Sequence, residues 1–62
     1  MTSELVTKCF QVESLVRHLV MRGVNDKEEI VYRVDEYFEP ETMDEMEAYS
    51  EAIIYARWGV LN

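Results

Sequence analysis

Leu5, Cys9, Val12, Val16 and Leu19 recur at spacings of four, three, four and three, and this rhythm commits the first third of the chain to a helix. A strand turns alternate residues to opposite faces and cannot gather these five on one side. Val6, Phe10, Leu15, Val20 and Met21 widen the apolar sector past half the circumference. A surface helix usually needs a stripe of little more than about 100°. The first helix is therefore expected to be covered on two sides, by the other helices and by a second chain, with a partner's groove and the floor of a compact core as the other readings of the excess. It spans about residues 3–22. Thr2 or Ser3 can cap it, Arg22 complements its C-terminal dipole, and Gly23 suits the left-handed position that ends a helix.

Two breaks, Gly23-Val24-Asn25 and the surroundings of Pro40, divide the rest. A second helix is predicted over about 26–38. Asn25 and Glu28 have capping-box spacing, and Ile30, Val31, Val34, Tyr37 and Phe38 form an apolar face. Pro40 stops it and pushes Glu39 toward extended backbone. A third helix is predicted over about 41–58, with Thr42 and Glu45 as a second capping box. Met46, Tyr49, Ile53 and Ala56 repeat along it, Gly59 is a C-cap candidate, and Val60 is placed to fold back on the last turn. Short connections favour antiparallel neighbours. The expected fold is all-α, a compact three-helix up-down-up bundle in one domain over residues 1–62, dimeric through the first helix. Its core would hold Leu5, Cys9, Val12, Val16, Leu19, Ile30, Val34, Phe38, Met46, Tyr49 and Ile53.

A chain of 62 residues buries only about 60% of the surface it exposes when unfolded. One cysteine allows no internal disulfide, so tight helix packing or self-association must supply stability. The single thiol fits a reducing compartment, and no leader or membrane-length apolar run is seen, so the cytoplasm is the expected location. Net charge is −7 and unevenly spread. Residues 1–25 carry a net of +1, whereas residues 26–51 carry eleven acids against Lys27 and Arg33. Asp35, Glu36, Glu39, Glu41, Asp44, Glu45, Glu47 and Glu51 form a run with no base among them. Such a field repels nucleic acid and attracts basic surfaces.

Glu47, Glu51, Ile54 and Trp58 lie at spacings of four, three and four on the third helix, flanked by Asp44 and Tyr55. An aromatic anchor beside orienting charges is the usual form of a binding hot spot. These six residues are the candidate partner-binding site. The plain alternative tucks Trp58 over the end of the bundle and leaves the acids merely solvated. The acidic run as a whole has two readings as well, a mimic of a phosphate backbone and a solubility device.

Other chemistry finds little footing. His18 falls on the polar side of the first helix without a second ligand at metal spacing. Cys9 sits on the apolar seam without an activating base. Met21, Met43 and Met46 read as packing residues. The stretch from Asn25 to Glu36 has the length of a calcium loop but places Ile30 where the turn needs glycine. No Glu-x-x-His pair, phosphate loop or nucleophile–base pair is present, so no metal, cofactor or catalytic residue is expected, and the chain reads as a non-enzyme. A DNA-reading helix would need Arg, Lys, Asn or Gln near its start, where the third helix has Glu41, Asp44 and Glu45.

In size, charge and compactness the chain resembles the small acidic proteins that bacteriophages use against host enzymes, including anti-restriction and anti-CRISPR DNA mimics. The resemblance is compositional and assigns no residue a role. It implies a viral inhibitor or adaptor that docks on a basic surface of a larger protein, such as a nucleic-acid enzyme, in the host cytoplasm. The alternative is a structural homodimer or regulatory subunit without inhibitory function.

Overall fold

The computed structural model describes residues 3–61, and the expected cap Thr2 lies outside them. Three helices, α1 (Ser3–Met21), α2 (Lys27–Phe38) and α3 (Met43–Leu61), account for the regular structure, and no strand occurs among the described residues. The Cα radius of gyration is 10.9 Å, against about 11 Å for a folded chain of this length.

Local chemistry sets most helix ends. Gly23 adopts φ +97° after α1. Its amide donates to the Val20 carbonyl at 3.0 Å, and the Val24 amide donates to the Leu19 carbonyl at 2.9 Å. This is the Schellman arrangement, and half-buried Val24 packs on the core beside it. At α2 the cap is Asp26 rather than the expected Asn25. Its Oδ1 accepts from the Glu28 amide at 3.1 Å. Asp26 is a cap of equal quality, and its charge favours the positive helix start. α3 begins at the expected box. Thr42 Oγ1 accepts from the Glu45 amide at 3.1 Å and donates to Glu45 Oε1 at 3.2 Å. The same Oε1 accepts from the Glu41 amide at 3.4 Å.

Two ends differ from expectation. Glu39 is left-handed (φ 48°, ψ 65°), not extended, and its amide donates to the Asp35 carbonyl at 2.9 Å. Pro40 disfavours a right-handed continuation, and the left-handed cap is the alternative that still closes the last turn. Gly59 does not end α3, which continues to Leu61. Glycine permits a left-handed cap without imposing one, and it is tolerated inside a helix at a cost of about 1 kcal/mol.

The buried core comprises Val12, Val16, Leu19 and Val20 of α1, Ile30 and Val34 of α2, and Tyr49, Ala52, Ile53 and Ala56 of α3. Each fully buried valine or isoleucine contributes roughly 1.5–3 kcal/mol of transfer free energy, as an upper bound. Leu5, Cys9 and Phe38 are only partly buried against it. Met46, expected in the core, is 48% exposed, and Met21 and Met43, expected to pack, are also exposed. The reason is the phase of α3. Its inward face is Tyr49, Ala52, Ile53 and Ala56, and the row Ala48, Ala52, Ala56 presents only methyl groups. Small side chains let helix axes approach closely, and α1 with α3 is the most extensive pairing in the molecule. Phe38 of α2 meets Tyr49 with ring centroids 5.8 Å apart and planes tilted by 56°. Tyr37, expected on α2's apolar face, is instead exposed.

Candidate protein-binding surface

The inward alanine row determines what α3 turns outward. At 100° per residue, Asp44, Glu47, Glu51, Ile54, Tyr55 and Trp58 lie on the side opposite Tyr49 and Ala56. All six are exposed, with Trp58 at 71% and Tyr55 at 70%. The indole therefore does not tuck over the bundle end. The one base of α3, Arg57, points elsewhere. Its Nη2 donates to the Asn25 carbonyl in the α1–α2 connection at 3.1 Å, and its buried Nε meets no hydrogen-bond partner. The outer face thus combines three large apolar side chains with three carboxylates and no cation from its own helix.

Glu51 also approaches α1. Burial first, then the Glu13 and Glu51 carboxylates, push the Cys9 thiol above its ordinary value of 9.0. The thiol is kept protonated and is a poor nucleophile. Deeper in the same seam, burial raises the Tyr49 phenol above 10.0, with nearby Glu45 and Cys9 adding to the shift. Glu45 Oε1 is engaged with Thr42 and Glu41, and no hydrogen bond of ordinary geometry reaches the Tyr49 hydroxyl.

The rest of the acidic run does not share this face. Glu36 lines a shallow cleft with Arg33, Tyr37, Leu15 and Leu19. Asp35 borders a different depression beside Glu28, Val31 and Tyr32. Glu45 meets Glu4, Leu5 and Lys8 in a notch where α1 and α3 begin, and Asp44 of the outer face borders the same notch. Glu39 and Glu41 occupy the α2–α3 connection. Arg33 pairs with Glu29 at 3.1 Å and Arg17 with Glu13 at 3.0 Å, both one helical turn apart.

Exposed Tyr32 and Tyr37 were not singled out from sequence as a surface, whereas exposed Val6 and Phe10 on α1 belong to the wide apolar sector expected to need a second cover. The width of the α1 apolar sector was the available signal for the last two. His18 is exposed, as its polar position implied. Among the described residues no group of three or more His, Cys, Asp or Glu could hold a metal ion, and no helix is long and apolar enough to cross a membrane. Compared with protein-family models, curated proteins and solved structures, the chain shows no significant match to any of them.

Proposed function

We propose that this chain is a protein-binding module, an inhibitor or adaptor, that sets the outer face of α3 against a basic surface of a larger protein such as a nucleic-acid enzyme. One observation carries the reading. Ile54, Tyr55 and Trp58 stand exposed beside Asp44, Glu47 and Glu51, while Arg57 is drawn inward to Asn25. In such a contact the aromatic side chains supply buried area and the carboxylates orient a cationic partner. The setting that fits a small acidic module of this kind is host takeover or anti-defence by a virus, in the host cytoplasm. Direct contact with nucleic acid or membrane forms no part of the reading.

The up-down-up order belongs to the same proposal. It is supported by the notch that joins the starts of α1 and α3 and by the Arg57–Asn25 bond, which ties the end of α3 to the connection after α1. Imitation of a phosphate backbone has weaker support, because the carboxylates of α2 divide between two depressions. Affinity capture of the partner with wild type, Trp58→Ala and Glu47→Gln/Glu51→Gln, at low and high salt, tests the reading. Aromatic docking predicts that Trp58→Ala abolishes capture and that the double neutralisation weakens it at low salt. Capture that survives both changes refutes the proposal. Capture spared by Trp58→Ala and lost with salt replaces docking by mimicry.

A further inference from the structure

We propose that α1 carries a second, separate interface: an antiparallel, two-fold contact with another copy of this chain. Val6, Phe10, Glu13, Arg17 and Met21 follow one another at spacings of four, three, four and four and occupy one sector of α1 outside the core. Val6 is 48% exposed, Phe10 63% and Met21 80%. Between these apolar ends lies the Glu13–Arg17 ion pair. In this pair Arg17 keeps about half of its side chain exposed and Glu13 17%, and a one-turn pair stabilises its own helix by only about 0.3–0.5 kcal/mol, so the guanidinium can turn to a second carboxylate.

A second α1 laid antiparallel across this sector, with the two-fold axis midway between positions 13 and 17, makes the pattern self-complementary. Glu13 then faces Arg17 of the second copy, and Arg17 faces Glu13 of the second copy. Phe10 falls between Arg17 and Met21 of the second copy. The ring can cover the guanidinium face and the thioether, both favourable contacts. Val6 reaches the level of Val24 of the second copy. An isologous interface requires an acid and a base equidistant from the axis, and this sector supplies them. A parallel pairing would instead set Glu13 against Glu13 and Arg17 against Arg17.

Charge selects the occupant. Two copies of a chain with net charge −7 repel, except where the meeting surfaces are neutral. Residues 1–25 carry a net of +1, and this sector of α1 holds one acid and one base, whereas residues 26–51 carry a net of −9. A basic partner would be drawn to α2 and α3. A second copy is the occupant that the neutral, reciprocal pattern on α1 fits.

The test is sedimentation equilibrium from micromolar to millimolar concentration, with helicity followed by circular dichroism. Wild type is expected to pass from one to two chain masses. Glu13→Arg and Arg17→Glu each place like charges face to face and are expected to raise the midpoint at least about tenfold, or about 1.4 kcal/mol. An equimolar mixture of the two variants, and the double swap E13R/R17E, restore the opposition and are expected to recover the dimer. Phe10→Gln, which leaves both charges in place, is expected to weaken association about as much. A wild type that keeps one chain mass at millimolar concentration overturns the proposal. So does an unchanged midpoint in Glu13→Arg or in Phe10→Gln, or failure of both the mixture and the double swap to recover association.

Discussion

Tyr49→Phe should stabilise this protein. The Tyr49 ring is 1% exposed, and its hydroxyl oxygen is buried without a hydrogen-bond partner. A buried, unpaired hydroxyl costs about 1–3 kcal/mol relative to its hydrated state. Glu45 is the carboxylate that acts on this hydroxyl, but no bond between them has ordinary geometry and its Oε1 keeps its cap bonds to Thr42 and Glu41, so deleting the hydroxyl leaves that oxygen satisfied. The phenylalanine ring keeps its packing on Phe38. The expected gain is about 1 kcal/mol, the lower bound of that range, because a small opening of the seam would already let water reach the oxygen. In a domain of this size that corresponds to roughly 4–8 °C in Tm. Urea unfolding at pH 7, followed by far-ultraviolet circular dichroism, measures it directly. A loss of stability of about 0.5 kcal/mol or more would mean that the hydroxyl is bonded and would refute the reasoning. The pH profile supplies a second check. The folded chain holds the phenolic proton above 10.0, whereas the unfolded chain releases it near that value. Between the two values the unfolded state binds fewer protons, so stability falls with rising pH. The contribution is fully present below pH 10 and is lost as pH rises through the folded value. Cys9, raised above 9.0, adds a decline of the same sign that begins about one unit lower. Tyr49→Phe should shrink the upper part of the alkaline decline and leave the Cys9 part and the part from Tyr32, whose phenol is also raised by its hydrogen bond to Glu36. A decline of undiminished depth would argue against burial as the cause of the shift.

Three further outcomes are expected from the helix ends, each read by denaturant or thermal unfolding. Glu39→Gly should stabilise by up to about 1 kcal/mol, because relief of a left-handed residue, about 1–2 kcal/mol, exceeds the extra chain entropy of glycine. Gly23→Ala should lose about 1–2 kcal/mol although a Cβ there meets nothing within 4 Å, which isolates the backbone effect. Thr42→Ala should cost about 0.5–2 kcal/mol, since it removes the acceptor of the Glu45 amide and a donor to the Glu45 carboxylate.

The parts of this fold legible in the sequence were those set by neighbours along the chain. Gly23, Pro40 and the Thr42–Glu45 pair act within one turn, and helix boundaries followed from them closely. The facing of α3 depended on tertiary packing. Met46 ranks above Ala52 in apolarity, so the sequence pattern favoured Met46, Tyr49, Ile53 and Ala56 as the inward row. Close approach of α1 and α3 rewards the smaller side chain, and the inward face moved to include Ala52 while Met46 turned out. The exposure of Trp58 follows from that same choice, which is why it stood open until the helix phase was known. On α1, all apolar positions formed one broad sector in sequence. The bundle covers only the part around Val12, Val16, Leu19 and Val20 and leaves Val6 and Phe10 outside.

The same residues that weaken the isolated monomer can make its stability depend on association. Among the described residues, ten large apolar side chains are exposed, a heavy load for so short a chain. Several of them fall on two sectors, Val6, Phe10 and Met21 on α1 and Ile54, Tyr55 and Trp58 on α3. These sectors are the outer sides of the two helices that form the most extensive pairing in the fold. A ligand that binds only the folded state adds about 2.7 kcal/mol at a hundredfold excess over its Kd. Stability in proteins of this size is itself only several kcal/mol. Partner and second copy would therefore each act as a substantial part of the fold's stability, coupled where Glu51 of the α3 face and Glu13 of the α1 sector both act on Cys9.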